Sequence, residues 1–255
     1  MIDTRAVVRR LKKFESLAII PRVASTNLVA RRILEECLNN ELSLPQAIII
    51  AGEQFAGRGR NDHRWISPKG KGIYATTLIT RPVEELSLFP LEMANTIAMF
   101  LREHFDIPAG IKWPNDVLVG GRKIAGVLIE ARVQESRVHM IVGTGINVER
   151  VENDDRPNAT SISDTAGRDY KGIEEATVAY VEYLDRRFAH PTKRMEVLDE
   201  WRLLTVHHFG DRISSVIGDR TVAGAWAGID DQGRALIRTD SETIAISAGD
   251  IVMSS

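Results

Sequence analysis

The chain has 255 residues, of which 44% are hydrophobic and 27% charged, a composition ordinary for a globular protein. A formal net charge of −2 gives no overall reason for binding to nucleic acid or to an anionic membrane. The single cysteine, Cys37, excludes an intrachain disulfide and a multi-cysteine zinc site.

The N-terminal segment predicts neither a signal peptide nor a membrane span. Met1–Arg5 is charged, and the longest apolar stretch near it, Leu17–Pro21, has only the length of a strand. We therefore expect a cytoplasmic protein.

The first half of the chain alternates helix and strand signals. Apolar residues at helical spacing mark residues 27–38, and Ser25, Thr26 or Asn27 can cap that helix. The apolar run Ala47–Ala51 predicts a buried strand. The next predicted elements are a long loop at 53–71, a strand at Gly72–Ile79, a helix at Phe89–Phe105, a glycine hairpin joining Val117–Val119 to Arg122–Glu130, and a strand at Val138–Val142.

The predicted secondary structure changes in the last third of the chain, from helices to short strands. A polar loop at 149–169 precedes two predicted helices near 172–189 and 192–204. Beyond Phe209–Gly210, short strand candidates follow one another at Arg212–Val216, Thr221–Ile229, Arg234–Arg238, Thr243–Ser247 and Ile251–Val252, with turns at Gly218–Asp219 and Asp230–Gly233. Short strands at even spacing predict a small barrel. We therefore predict a first domain of residues 1–208 and a C-terminal barrel of residues 209–255.

Three segments of the first domain carry residue types suited to anion chemistry: Gly57-Arg58-Gly59-Arg60, Lys112-Trp113-Pro114-Asn115-Asp116 and Arg122-Lys123-Ile124-Ala125-Gly126. A glycine/arginine loop can fold over an anion through its backbone N–H and guanidinium groups. It is not a Walker loop, because no Gly-Lys-Ser/Thr follows. A carboxylate and a nucleotide phosphate repel each other unless such donors neutralise both, so the combination predicts acyl-adenylate chemistry.

Each of these segments also has a plainer interpretation. An arginine–glycine run in isolation is more often a solvated or RNA-contacting loop than a catalytic one, and Asp116 can cap its own turn. Lys123 can be a surface lysine at a hairpin. Strict alternation along its strand places Lys123 on one face with Ala125 and Val127, and Gly126 on the other.

The three segments resemble the signature of the biotin protein ligases, which adenylate biotin and transfer it to a carrier lysine. Further similarity lies at Ser25-Thr26-Asn27, Gly52-Glu53-Gln54, Gly143-Thr144-Gly145-Ile146-Asn147 and Ala159-Thr160-Ser161-Ile162. Their order and spacing fit the family from residue 22 to the C-terminus. The resemblance implies an α/β (α+β) catalytic domain with a mixed sheet of the biotin/lipoate ligase type, followed by a small SH3-like β-barrel.

The resemblance also implies roles for individual residues. Those implied in catalysis are Lys123, Arg58, Arg60 and Asp116. Those implied in biotin binding are Ser25, Thr26, Asn27, Gln54, Gly57, Arg58, Lys123, Gly126 and Gly143. Those implied in nucleotide binding are Arg60, Trp65, Asn115, Asn147 and Lys123, with Asp116 as the ligand of a magnesium ion. Trp65 is expected to stack on adenine, whereas a buried Gln54 is also compatible with a structural role.

The chain departs from the family after Arg60. The usual continuation is more arginine and glycine before the tryptophan, but here Asn61-Asp62-His63-Arg64 intervenes. The lost glycine predicts a stiffer loop, and Asp62 adds a negative charge near the phosphates. We therefore expect altered loop closure and an altered phosphate contact at position 63.

The resulting prediction is a ligase that uses biotin, ATP and Mg²⁺ and modifies a lysine of the biotin carboxyl carrier domain of acetyl-CoA carboxylase or a related carboxylase. Only about twenty residues precede the catalytic domain, fewer than the ~50 that a domain needs, so the form without a DNA-binding domain is expected. Neither DNA nor a membrane is an expected partner, and a homodimer is compatible with the resemblance. The alternatives are a lipoate or octanoate ligase, and a nucleic-acid-binding module whose affinity would fall steeply with salt.

Overall fold

The computed structural model describes residues 7–60, 63–151, 158–166, 170–190, 192–217, 220–247, 249 and 251–253. The helices are α1 (Thr26–Asn39), α2 (Phe89–Phe105), α3 (Ile162–Thr165), α4 (Ile173–Ala189) and α5 (Arg194–Leu204). The strands are β1 (Ser16–Ile20), β2 (Ala47–Ala51), β3 (Gly72–Pro82), β4 (Gly110–Lys112), β5 (Asp116–Val119), β6 (Arg122–Gln134), β7 (Arg137–Asn147), β8 (Arg212–Ile217), β9 (Arg220–Ile229), β10 (Ala235–Arg238), β11 (Thr243–Ile246) and β12 (Ile251–Met253).

The first seven strands form one mixed sheet in the order β1-β2-β3-β7-β6-β5-β4. Only β1 and β2 are parallel; every other neighbouring pair is antiparallel. The last five strands form a separate antiparallel sheet in the order β11-β10-β9-β8-β12, which we call the C-terminal barrel. The predicted fold class, a mixed-sheet α/β domain followed by a small β domain, is confirmed.

Helices cover both faces of the large sheet because its central strands are apolar on both sides. Along β2, Ala47 and Ile49 pack beneath α1 in a small cluster with Ala30 and Leu34. Ile48 and Ile50 face the other way, into the main core that contains α2, α4 and α5. The face beneath α1 is only partly covered, and this face carries the candidate site.

The predicted bounds of two elements agree with the structure residue for residue. They are the strand Ala47–Ala51 and the helix Phe89–Phe105. The predicted loop 149–169 is wrong at Ile162–Thr165, which form a short helix. Ser161 caps this helix, because its side chain accepts a hydrogen bond from the Asp164 N–H. Met1–Arg5, Asn61, Asp62 and the turn Gly218–Asp219 lie outside the described residues.

A buried carboxylate ties the N-terminal segment to α4. Asp185 is 3% exposed and accepts backbone N–H bonds from Lys12 at 2.7 Å, Lys13 at 2.7 Å and Phe14 at 3.0 Å. These three donors have consecutive positions, so one side chain satisfies all of them, including the buried Phe14 N–H.

We expect Asp185→Ala to lower the free energy of unfolding by at least about 3 kcal/mol. Hydrogen bonds to a charged group are worth ~1.5–3 kcal/mol each. Three donors lose their partner, but water can replace the carboxylate at the part-buried Lys12 and Lys13 N–H groups. Urea unfolding of the two proteins measures the difference. Glu182→Ala on the same helix is the control, and its surface ion pair with Arg10 is worth at most ~1 kcal/mol. Equal losses in the two variants would contradict the assignment.

Candidate functional site

A cavity of about 660 Å³ opens on the α1 face of the large sheet, between the N-terminus of α1 and the loop 53–71. All of the predicted site residues except Gly57 line it. They are Ser25, Thr26, Asn27, Gln54, Arg58, Arg60, Trp65, Asn115, Asp116, Lys123, Gly126, Gly143 and Asn147. Gly57 is buried beside them and accepts the Trp65 N–H at 3.0 Å.

Alternate residues of β7 form the floor of this cavity. Gly143, Gly145 and Asn147 point to the same face, roughly 7 Å apart, because side chains alternate along a strand. A Cβ on Gly143 would lie within 3.0 Å of the Asn27 amide, and one on Gly145 within 3.0 Å of the Trp65 indole. The two glycines therefore let side chains from the covering segments lie directly on the strand.

The Gly143 end of the cavity is polar and closely hydrogen-bonded. Gln54 Oε1 accepts from the Thr26 backbone N–H at 2.8 Å and from Thr26 Oγ1 at 3.1 Å. Thr76 Oγ1, fully buried on β3, lies 2.7 Å from both Thr26 Oγ1 and Asn27 Oδ1. The Asn27 Nδ2 group is buried without a partner among the described residues, so a donor remains at this end.

Ser25 belongs to the same end of the cavity. It occupies the N-cap position of α1 with extended backbone, but its side chain makes no capping hydrogen bond. Ser25 is thus the N-cap residue by position, but its side chain does not cap the helix; Ser25 is 3% exposed and lies on the cavity wall.

The Trp65 indole occupies the middle of the floor. It lies on Gly145 of β7 and also on Gly126 of β6, which is paired in register with Gly145. Its Nε1 is buried and finds no partner among the described residues. The indole therefore separates the polar end at Gly143 from the other end, where Asn147 and Lys123 lie.

Lys123 brings the positive charge of the site beside this indole. Its Nζ lies 2.5 Å from Asp116 Oδ1 and 5.5 Å from the centre of the Trp65 ring. The lysine side chain is 36% exposed and the aspartate side chain 27%, so both atoms reach the cavity. A cation, a carboxylate and an aromatic face are thus held together at one point.

The alternation predicted for the Lys123 strand is wrong. The register between β5 and β6 shifts, because Val117 pairs with Ala125 whereas Leu118 pairs with Lys123. This β-bulge turns the lysine onto the face of Gly126, whose Cβ would lie 3.1 Å from Lys123 Cε. Without the bulge the ammonium would point into the core beneath the sheet.

Asn115 connects the loop to the sheet and to the C-terminal barrel. Its Nδ2 donates to Val127 O at 2.5 Å, and its Oδ1 accepts from Arg60 Nη1 at 2.9 Å. The second arm of the guanidinium, Nη2, donates to Gly249 O at 3.3 Å, between β11 and β12. Arg60 therefore joins the glycine/arginine loop, the Trp-Pro turn and the barrel at the nucleotide end predicted from the sequence.

Arg58 lies on the rim of the cavity. Its Nη1 is 3.6 Å from Glu130 Oε1, and the other oxygen of Glu130 is 2.5 Å from Arg31 Nη2. The guanidinium is 44% exposed, and an ion pair this open is worth at most ~1 kcal/mol. An anionic ligand can therefore attract Arg58 without a large loss of existing interactions.

Asn147, predicted to face the nucleotide, also has a structural task. Its Nδ2 donates to Lys123 O at 3.3 Å and to Thr160 O at 3.0 Å. Thr160 N in turn donates to Lys123 O at 2.9 Å. Asn147 thus holds the backbone of Lys123 against the segment Asn158–Thr160.

Two family models match the two parts of the chain that contain the cavity and the C-terminal barrel. The model of the biotin/lipoate A/B protein ligase family matches residues 19–147, just over half of the chain. This range contains every residue that lines the cavity except Asn158 and Ala159. The chain belongs to this family. A second model, the biotin protein ligase C-terminal domain, matches residues 208–254, which contain the barrel.

Relatives within the family are similar over most of the chain. The bifunctional ligase/repressor BirA of Bacillus subtilis is 33% identical over 80% of the chain, which spans 65% of that protein's length. The biotin–[acetyl-CoA-carboxylase] ligase of Mycobacterium tuberculosis is 27% identical over 94% of the chain and 89% of its own. The biotin protein ligase of Aquifex aeolicus, solved with biotin and ATP, superposes with a TM-score of 0.72 at 24% identity, covering 94% and 99% of the two chains.

Sequence reasoning gives no role to three residues that line the cavity or contact residues that line it. Thr76, Lys112 and Glu130 were assigned no role, although Lys112 lies in a quoted segment and lines the cavity. Thr76 gives no distinct signal in the sequence, because Thr77, Thr80 and Arg81 are polar residues of the same strand. Glu130 gives no signal in the sequence, because its partners Arg31 and Arg58 are distant along the chain.

Two further features concern metals and membranes. Among the described residues, no cluster of three or more His, Cys, Asp or Glu side chains could hold a metal ion by itself. Within the same residues, no helix has the length and apolar composition that crossing a membrane requires.

Proposed function

We propose that the protein is a biotin–protein ligase, which activates biotin with ATP and transfers it to a lysine of a biotin carboxyl carrier domain. The observation that carries the proposal is the order along one face of the sheet. A polar end suited to an uncharged urea-like ring is followed by the Trp65 indole and then by the Lys123 ammonium. The family and its relatives named biotin–[acetyl-CoA-carboxylase] ligase support the choice of substrate.

In the first step a biotin carboxylate oxygen attacks the α-phosphorus of ATP. A new P–O bond forms, the bond to the β-phosphate oxygen breaks, and pyrophosphate leaves with its electron pair. Lys123 and Arg58 offset the repulsion between the two anions and the negative charge that grows on the α-phosphate, and Arg60 would contribute its charge at the nucleotide end. No protein nucleophile is needed, so catalysis consists of positioning and charge stabilisation.

In the second step the uncharged amine of a carrier lysine attacks the acyl carbon of biotinyl-5′-adenylate. An amide bond forms, AMP leaves with the electrons of the acyl–oxygen bond, and the amine gives up a proton. Residues 1–208 would bind biotin and ATP, and residues 209–255 would complete the wall near Arg60. The partner is the biotin carboxyl carrier domain of acetyl-CoA carboxylase or a related carboxylase.

The side chains present fit a magnesium ion held mainly by substrate. Mg²⁺ in nucleotide sites typically uses one or two carboxylates together with phosphate oxygens, and Asp116 is the carboxylate among the described residues that line the cavity. When bound there, the ion would neutralise phosphate charge. Asp116 would then exchange its contact with Lys123 for the ion, leaving the ammonium to the carboxylate of biotin.

The deciding assay incubates the protein with biotin, ATP, Mg²⁺ and a carrier domain, and measures the mass of the carrier. We expect one biotinyl addition, and none on a carrier whose acceptor lysine is replaced by arginine. Lipoate and octanoate, tested in place of biotin, distinguish the related ligase activities of the same family. Modification with lipoate or octanoate but not with biotin would contradict the proposal.

We expect Trp65→Ala to raise the apparent ATP requirement by about 10- to 100-fold, because stacking of a base on an aromatic side chain is worth ~1–3 kcal/mol. Biotin affinity should change less, since the bonds among Thr26, Gln54 and Thr76 remain. Pyrophosphate release at varied ATP and at varied biotin gives the two values. Equal effects on both substrates would show that the variant loses loop order instead of base stacking.

A further inference from the structure

The Lys-Trp-Pro-Asn-Asp turn is held by two hydrogen bonds that Trp113 donates to residues outside the large sheet. Its backbone N–H donates to His207 Nε2 at 3.1 Å, and its indole Nε1 donates to Gly233 O at 3.0 Å. Trp113 is 2% exposed, so neither donor has water as a ready substitute. Gly233 belongs to the barrel, and His207 lies in the segment that leads into it.

His207 itself is packed against the barrel. Its ring stacks on Trp226 of β9, with centroids 4.4 Å apart and planes 24° apart, and it is 4% exposed. Because Nε2 accepts a hydrogen bond, the ring proton of the neutral form resides on Nδ1, which has no partner among the described residues. One face of this imidazole thus contacts the barrel while one edge holds the catalytic turn.

The charges around His207 favour this neutral form. Burial is the largest cause that lowers its pKa, to about 4, and the Lys112 ammonium lowers it further. Asp211 acts in the opposite direction, and the neighbouring His208 lowers the pKa again. At neutral pH the ring is therefore an acceptor for the Trp113 N–H.

The turn that His207 holds leads directly to the nucleotide end of the cavity. Asn115 and Asp116 follow Trp113 by two and three residues, and they contact Arg60 and Lys123 respectively. The Gly143 end, with Thr26 and Gln54, rests on α1 and β3 and has no such bond to the barrel among the described residues. Displacement of Trp113 should thus disturb one end of the cavity and leave the other in place.

We propose that His207 is a positioning residue, through which the C-terminal barrel sets the place of Asn115 and Asp116 for ATP. The inference rests on the proposed function and deepens it. It gives the barrel a task in adenylation that is independent of the carrier protein. It also gives a reason for a buried imidazole at this junction, since stacking on Trp226 alone requires no hydrogen-bond acceptor.

The test compares His207→Gln, His207→Asn and His207→Phe in the full chain. A glutamine amide reaches the position of Nε2 and can accept the Trp113 N–H, whereas the asparagine amide is one methylene too short. Phenylalanine keeps the stack on Trp226 but has no acceptor. His208→Asn, at the exposed neighbouring histidine, is the control.

Three quantities are measured: the ATP concentration at half-maximal single-turnover pyrophosphate release, the Kd for biotin alone, and the thermal midpoint. We expect His207→Asn and His207→Phe to raise the ATP value about tenfold, and His207→Gln and His208→Asn to stay within about threefold of the wild type. Biotin Kd should stay within twofold in all four. If His207 had only a structural role, the ATP value and the biotin Kd would both rise, in proportion to the fall in the thermal midpoint.

Several results would overturn the inference. One is an unchanged ATP value in His207→Asn and His207→Phe. Another is an ATP value in His207→Gln that rises as much as in those two variants. If His207→Asn and His207→Phe do not fold while His207→Gln does, the bond serves folding and not the site. A wild type that releases no pyrophosphate from biotin and ATP contradicts the proposed function instead, so the two failures are distinguishable.

Discussion

Lys123→Ala is expected to slow biotin adenylation by ~10²–10³-fold, the usual effect of removing a donor aimed at developing charge. The structure strengthens the expectation, because the change also leaves the Asp116 carboxylate unpaired 2.5 Å from where the ammonium was. Single-turnover pyrophosphate release measures the rate. Lys123→Arg should recover only part of it, since a planar guanidinium does not replace a compact ammonium.

Two comparisons make this prediction specific. Arg122→Ala removes the exposed positive charge next to Lys123 and should leave the rate within about twofold of the wild type. Lys123→Ala should also weaken biotin binding modestly. Asp116→Asn in that background should restore part of this affinity, because the substrate carboxylate no longer meets a like charge. Wild-type rates in Lys123→Ala would reduce Lys123 to a surface lysine at a hairpin.

Gly145→Ala is expected to reduce adenylation by about 100-fold although it adds only one methyl group. The new Cβ would lie within 3.0 Å of the Trp65 indole, so the ring must leave its place on the strand. Gly126→Ala, the partner in register on β6, is the matched comparison. Its Cβ would meet mainly the flexible end of Lys123 at 3.1 Å and the ring only at 3.4 Å, and we expect less than a tenfold loss.

A double-mutant cycle tests whether Gly145→Ala acts through the indole. In the Trp65→Ala background the same substitution should cost less than about threefold, because the space that the ring occupied is open. Pyrophosphate release at saturating biotin and one fixed, subsaturating ATP concentration gives the four rates. An undiminished loss in that background would show that the methyl group blocks the ligand directly.

The sequence alone predicted the fold class and most of the residues that line the cavity. Apolar periodicity is a local property, so the buried strand Ala47–Ala51 and the helix Phe89–Phe105 could be delimited without contacts from elsewhere. The chemistry of two anions pointed only to the glycine/arginine loop and Lys123 as donors, and the resemblance to the family supplied the other residues that line the cavity. Neither kind of inference requires the three-dimensional positions of distant residues.

Only the tertiary structure decided how those residues are used. A β-bulge turns Lys123 onto the cavity face, and two glycines on neighbouring strands admit the Trp65 indole. Arg60 reaches Gly249 across 189 residues of sequence, and Trp113 reaches His207 across 94. Register shifts and contacts over such separations depend on how whole elements pack, and no local pattern of residues encodes them.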